Sequence, residues 1–379
     1  MKLTFLRPIF FLFLVIGSSN YFFAQNTILS NNAKVSIITC DTGNESYSLF
    51  GHTAIRITDL ENNLDIAYNY GAFDFATPNF VAKFSKGDLQ YFVTTHSFSD
   101  FLTQYSYEKR NVYEQELNIS LAYKQKLFDN LNTVVSTDQR FYTYKFIDKN
   151  CTSMVVDILN STLGESIIVK KFDTNQTYRT ILFPYFDGFF YEKLGTSIIF
   201  GSKVDQYGTR IFLPLELQKN LAAIQFKNLP LCKESLNLLS FEKIRKSSWW
   251  NNCYSYLIFL ALIIFLNNQK LNSFYLILIG LLGIFFGFMG FYSNHLELTN
   301  NYNILLFNPL LLFLFYFQIT KNRKWVVNFC YLILFSLFIY LILMINKVHL
   351  LLVLPVVITS GIITVRMLLK NRKRIPIVI

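Results

Sequence analysis

Charge is scarce in this chain, and acid is nearly missing from its last third. Only 16% of the 379 residues are charged, and residues 249–379 hold one acidic residue, Glu297, against ten Lys and Arg. Cysteine is sparse as well, at five, which excludes a disulfide-stapled scaffold. The four histidines lie far apart, and neither CxxC nor HxxxH spacing occurs, so no metal site is expected. There is no internal repeat and no low-complexity tract. What the chain has in excess is apolar residue: 52% hydrophobic and 17% aromatic, with 40 Phe and 23 Tyr. Disordered chains are poor in aromatics, so disorder is excluded.

The net charge of +11 is unevenly placed. Residues 1–25 carry Lys2 and Arg7 and no acid, residues 249–379 carry +9, and residues 26–248 are neutral, with 23 basic and 23 acidic residues. A basic balance first suggests a nucleic-acid partner. That partner is not expected here, because the soluble part has no basic excess. Three segments follow: 1–25 as a targeting segment, 26–248 as an exported domain, and 249–379 as a membrane domain. Lys2 and Arg7, the apolar core Ile9–Ile16 and Gly17-Ser18-Ser19 read as a secretory signal, with a cut after Ala24 or retention as an anchor.

Apolar stretches at 251–267, 272–292, 304–319, 326–345 and 350–369 read as about five transmembrane helices. Trp249-Trp250, Tyr302 and Trp325 fit interfacial belts. Lys270, the Lys321/Arg323/Lys324 group and the Lys370–Arg374 tail fall on one side by this count. The positive-inside rule makes that side cytoplasmic. The domain 26–248 is then outside, as the signal also requires. The expected location is the bacterial inner membrane.

The exported domain reads as mixed α and β. Val35–Cys40, Thr53–Thr58, Asp65–Tyr70, Leu89–Thr95 and Asn111–Ile119 have strand character. Pro78–Phe84, Phe98–Tyr105 and Ser120–Val135 have helical spacing, and a further helix runs from Asn150 to a stop near Gly164. Thr177–Phe186 reads as helical, and Gly201–Pro214 as loop plus strand. The fold class is α+β followed by an all-α membrane bundle.

Two short motifs carry chemistry. Gly51-His52 opens a strand, where a glycine turn sets an imidazole at a strand end. Asn150-Cys151 opens a helix, whose positive end favours the thiolate and whose free N–H groups suit an oxyanion. A Cys and a His in reach of one another form a nucleophile–base pair. Strand-His before helix-Cys is the order of a circularly permuted papain-like fold of the lecithin:retinol acyltransferase type. Other readings stand beside this one. Cys151 as a small buried hydrophobe, or paired with Cys40 or Cys232, would carry no chemistry. Asn69 in Tyr68-Asn69-Tyr70-Gly71 is either strand or an orienter of His52. Arg56 is either a core-edge residue or a lipid-phosphate contact, and His96 is a surface residue at a strand end. The aromatic segment Leu182–Tyr191 either lines a lipid path or packs a core.

The stretches FGHTAIRI (50–57), YNYGAFDF (68–75), EQELNIS (114–120), FIDKNCTSMVVDIL (146–159) and FLPLEL (212–217) resemble a bacterial exported-domain family that includes the Lnb-type lipoprotein N-acyltransferases. The segments at 291–295 and 301–309 resemble its membrane part. The resemblance implies a thiol nucleophile at Cys151 and its histidine at His52. It also implies acyl transfer from a phospholipid to the α-amino group of a diacylglyceryl lipoprotein, with no cofactor. A cell-envelope cysteine peptidase or amidase would use the same pair, and a scaffold with Cys151 in a disulfide would use neither. The outer loop Ser293–Asn303, with His295 and Asn303, is expected to face the exported domain and help seat a substrate head group.

Overall fold

The computed structural model describes residues 27–164, 166–242 and 248–372. The targeting segment 1–25 and the tail residues Lys373 and Arg374 lie outside them. The strands are β1 (Lys34–Cys40), β2 (His52–Asp59), β3 (Leu64–Ala72), β4 (Gln90–Ser97), β5 (Val112–Glu116), β6 (Phe141–Thr143), a small hairpin of β7 (Gln225–Phe226) with β8 (Leu229–Pro230), and β9 (Leu236–Leu239). Seven form one sheet in the order β6-β4-β3-β2-β1-β5-β9, with every neighbour antiparallel. The helices of this part are α1 (Phe80–Lys86), α2 (Phe98–Tyr107), α3 (Leu121–Ser136), α4 (Cys151–Leu163), α5 (Tyr178–Leu182), α6 (Phe190–Ile199) and α7 (Pro214–Leu221).

Strand alternation sorts the sheet into two faces. Ile55, Ile57, Tyr68 and Tyr70 pack with Leu127, Leu131, Val155 and Leu159 of α3 and α4. Ile38, Ala54 and Ala67 point the other way, onto Phe98, Phe101 and Tyr105 of α2. Small alanines at the centre of β2 and β3 let that aromatic helix lie close. The expected strand in Gly201–Pro214 is absent. Backbone groups there bond to side chains instead: the N–H of Phe212 donates to Glu216 Oε2, and the Phe212 carbonyl accepts from Asn150 Nδ2. Pro214 then starts α7, where its missing N–H costs nothing.

The membrane part contains α8 (Cys253–Leu266), α9 (Gln269–Tyr292), α10 (Leu310–Ile319), α11 (Arg323–Met344) and α12 (Leu350–Arg372). Among the described residues, four segments are long and apolar enough to cross a membrane: Gln269–Tyr292, Leu296–Ile319, Arg323–Met344 and Leu350–Arg372. The fifth, α8, has 14 residues, about 21 Å of helix. Asn252, Asn268 and Asn322 cap α8, α9 and α11, so first-turn N–H groups are satisfied at the interface. The third span is not one helix. It descends through 3-10 turns at Leu296–Leu298 and Tyr302–Leu305 before α10 begins.

The two parts are docked. α6 lies on the bundle, with Tyr191 stacked on Trp250 and Phe190 against Tyr256. This accounts for the aromatic segment Leu182–Tyr191. Leu182 and Phe186 sit in a buried cluster with Tyr178 and Phe212, while Phe190 and Tyr191 are the foot on the bundle.

Candidate active site

His52 is set by the turn before it. Gly51 has φ +83°, and a Cβ there would lie 2.6 Å from the Cys40 carbonyl oxygen. Only glycine makes this turn against β1 without strain. Cys151 is set by the helix start after Asn150. The Asn150 side chain accepts from the N–H of Thr152 (2.9 Å) and Ser153 (3.0 Å), and its amide donates to the carbonyls of Phe146 and Phe212. Asn150 is thus the cap that fixes where the helix begins. The first turn is consequently less open than its sequence suggests. Two of its N–H groups are taken by the cap, which leaves Cys151's own N–H to meet an oxyanion.

The structure brings Cys151 and His52 together at the end of the sheet. By alternation His52 belongs to the face covered by α2, whereas Cys151 rides on α4 of the opposite face. Burial acts to raise the Cys151 thiol. The charge of His52 and its hydrogen bond, the backbone N–H of Thr53 and the Thr152 hydroxyl outweigh that, so its pKa lies below the ordinary thiol value. Thr152 Oγ1 is 3.9 Å from the sulfur and 3.0 Å from Thr53 Oγ1, which ties the helix start to β2. His52 Nε2 lies 3.2 Å from Asn69 Oδ1, and Asn69 Nδ2 lies 3.3 Å from His96 Nδ1. Asn69 therefore stands between two imidazoles, with His52 Nδ1 left for the sulfur. The cysteines at 40, 151, 232, 253 and 330 are all free.

Gly71 completes the wall. It has φ +105°, at a bulge of β3, and a Cβ there would touch Cys151 Cβ at 3.7 Å and the Tyr142 hydroxyl at 3.9 Å. Tyr142 is 6% exposed, and its hydroxyl has no hydrogen-bond partner among the described residues. Burial, reinforced by Cys151 and the neighbouring tyrosines, raises its pKa, so it stays a donor. Sequence reading missed Tyr142 because β6 is only three residues long.

Two cavities meet at His52. One, of about 470 Å³, reaches Cys151 and is lined by Phe50, Phe73, Phe75, Phe80, Phe84 and Phe212 among others. Its rings form a path: Phe73 to Phe75 at 4.8 Å, Phe75 to Phe80 at 5.1 Å, Phe80 to Phe84 at 6.5 Å, and Phe84 to the ring of His295 at 5.9 Å. The path ends at the outer loop of the membrane part. There α1 sits on the outer end of α9, where the Ser293 hydroxyl donates to the Ser85 carbonyl. The second cavity, of about 410 Å³, is lined by Asn69, His96, Asp100, Gln104 and Arg110 and lies toward α2.

Three expected site residues stand elsewhere. Arg56 is not free for a lipid phosphate. Its guanidinium is held by Asp65 (2.7 Å) and Glu114 (3.1 Å) and lies 3.6 Å over the Phe98 ring. His295 does face the exported domain, but its Nε2 is 2.9 Å from the Phe84 carbonyl, where it donates as the Nε2-H tautomer. Asn303 is fully buried. Its amide donates to the carbonyls of Ser197, Ile198 and Phe200 at the end of α6, and its Oδ1 accepts from Tyr340. From the third span and the loop before it, these side chains pair backbone carbonyls of α6 and α1 in the sheet domain. The loop docks the two parts. Its other ties agree: Ser293 Oγ donates to the Ser85 carbonyl, and the Ile147 N–H donates to Glu297 Oε1.

Fold and site define a multi-pass membrane protein whose extramembrane domain holds a thiol–imidazole pair. Residues 22–183 match the family model described as the Lnb N-terminal periplasmic domain, and residues 267–374 match the one described as the Lnb transmembrane domain. The chain belongs to the Lnb family, which ties it to lipoprotein maturation and sets its sheet domain in the periplasm. Neither a curated protein nor a solved structure matches it.

Proposed function

We propose that the chain is a lipoprotein N-acyltransferase of the inner membrane, working through an acyl thioester on Cys151. One observation carries this reading. The Cys151–His52 pair stands at the end of an aromatic cavity whose rings run to the outer end of α9. His52 takes the thiol proton, and the thiolate attacks the ester carbonyl of a phospholipid. The C–O bond breaks, the departing oxygen takes the proton from His52, and a lysophospholipid leaves. The neutral α-amine of a diacylglyceryl-Cys then attacks the thioester, His52 accepts its proton, and the C–S bond breaks to return the thiolate. Splitting transfer in two suits an amine acceptor, because a thioester is reactive toward amines. The aromatic path lets a chain reach the sulfur without crossing water, which at about 0.8 kcal/mol per CH₂ would cost on the order of 10 kcal/mol for a long chain.

The test is mass analysis of lipoprotein N-termini in cells carrying the wild-type chain or Cys151→Ala. N-acylated termini are expected with the first and not with the second. Equal N-acylation in both would remove the reading.

Both tetrahedral intermediates place negative charge on oxygen near Cys151. The donors in place are its own N–H and the Tyr142 hydroxyl. Loss of one such donor costs on the order of 10²-fold in rate. Tyr142→Phe is therefore expected to slow thioester formation by about 10²-fold while leaving the thermal midpoint nearly unchanged. A variant as fast as wild type would show that the hydroxyl serves packing alone.

A further inference from the structure

The cavity on the α2 side is not needed to bring an acyl chain to Cys151, yet it shares His52, Gly51, Gly71, Tyr47 and Phe73 with the one that does. The two differ in chemistry. The Cys151 cavity is walled by phenylalanines, whereas the other presents Asn69, His96, Asp100 and Gln104 on β3, β4 and α2. They approach His52 from opposite faces of the sheet. This follows from the crossing of the pair, with His52 on the α2 face and Cys151 on the α4 face.

The charge of the polar cleft selects its occupant. Asp100 is the one carboxylate among the described lining residues, and it is exposed. The one formal cation, Arg110, is buried and largely held: Nε donates to the Asp41 carbonyl, Nη1 to Glu108, and the group stacks on Tyr105, while Nη2 has no partner among the described residues. A phosphate dianion would meet only this one buried guanidinium, already paired with Glu108, whereas an ammonium would find the exposed carboxylate of Asp100 and a peptide backbone an amide and an imidazole. Gln104 holds Glu108 Oε1 at 3.0 Å and so carries a firmly placed carbonyl.

We propose that this cleft is the acceptor subsite. It takes the α-ammonium and the first peptide units of the diacylglyceryl-Cys polypeptide, while the acyl chains lie in the aromatic cavity. This rests on the acyltransferase reading above and adds to it where each substrate sits. His52 then stands where both halves need it, between the thioester on one face and the incoming amine on the other. The bound ammonium first releases one proton to solvent; the neutral amine then attacks, its second proton passes to His52 as the C–N bond forms, and the C–S bond breaks so that the thiolate leaves toward the opposite face.

The experiment uses the full chain in proteoliposomes with dioleoylphosphatidylglycerol, a donor without an amine. The variants are Asp100→Asn and Gln104→Trp, neither of which touches Cys151. Three rates are read by mass spectrometry: acylation of Cys151, discharge of the thioester by hydroxylamine, and transfer to a dipalmitoylglyceryl-cysteinyl peptide. Hydroxylamine is small enough to need no subsite. The expected result is wild-type acylation and hydroxylamine discharge, with peptide transfer at least 10-fold slower and a raised KM for the peptide. Unchanged peptide transfer in both variants would overturn the proposal. Slowed acylation with normal transfer would overturn it too, by giving the cleft to the donor head group. Absence of any thioester in the wild type is a separate failure, that of the acyltransferase reading, and the subsite falls with it.

Discussion

His52→Ala is expected to lower acyl transfer by on the order of 10³-fold or more, because it removes the base from a pair that acts as a unit. The same change should alter the thiol measurably. Burial pushes the Cys151 pKa up, and His52 supplies the largest of the opposing influences, first through its charge and then through its hydrogen bond. With the imidazole gone, the Thr53 N–H and the Thr152 hydroxyl remain against burial, so the thiol pKa should rise. The sign for activity follows. In the wild type the thiolate persists below the usual thiol range, and reactivity falls only as pH drops through that lowered pKa. In the variant the inflection moves to higher pH. Alkylation of Cys151 by iodoacetamide across pH, read by mass spectrometry, separates the two effects. An unchanged alkylation profile would mean that His52 does not act on the sulfur, whatever happens to turnover. Asn69→Ala should give a smaller version of the same result, since it frees the imidazole it holds at 3.2 Å without removing it.

Much of this arrangement is legible in the chain. Helix periodicity and the Asn150–Gly164 bounds locate α4 to within a residue, and four of the five apolar stretches fall on segments long enough to cross a membrane, the remaining one on the shorter α8. Local signals succeed where local physics decides the outcome: a cap, a positive-φ glycine, an apolar run. They fail where the partner is distant in sequence. Arg56 has the residue type of a phosphate ligand, but Asp65 across β3 and Glu114 across β1 neutralise it, and strand pairing alone reveals that. Asn303 and His295 have the polarity of a binding loop. In the fold Asn303 pairs carbonyls at the end of α6 and His295 pairs one of α1, contacts that only the docked geometry reveals. The short strands β6 and β9, of three and four residues, have too little sequence for alternation to register. Tyr142 was hidden by that shortness.

Asp205→Ala is expected to be the most destabilising single change at the joint between the exported and membrane parts. Asp205 accepts from Arg179 Nε (2.7 Å) and the Tyr302 hydroxyl (2.5 Å) and pairs with Lys347 Nζ at 3.3 Å. Tyr302 in turn lies 3.2 Å from His349 Nε2. Arg179 is 2% exposed and also donates to the carbonyls of Ser197 and Phe200. One carboxylate thus neutralises a buried guanidinium from the exported part and a lysine from the loop before α12. Breaking a buried pair from one side costs about 3–5 kcal/mol, because the remaining charge stays buried and unpaired. For a protein of this size that amounts to a fall in the thermal midpoint of about 4–6 °C. A thiol-reactive dye that reports exposure of the buried Cys330 would follow it in detergent. A shift under about 1 °C would show that the cluster does not hold the parts together. Acid should weaken the joint in the same direction. Burial, then the nearby Arg179, lowers the His349 pKa to about 3, so the folded state keeps this imidazole neutral. The unfolded chain takes up a proton there below about pH 6.5, and the folded one does not. Stability is therefore lost as pH falls from about 6.5 toward 3. Asp205 adds to the loss only lower down: burial raises its pKa, but Arg179 and then Tyr302 and Lys347 outweigh that and hold it below the usual carboxylate value. His349→Phe should remove the upper part of this acid sensitivity and leave the lower part in place.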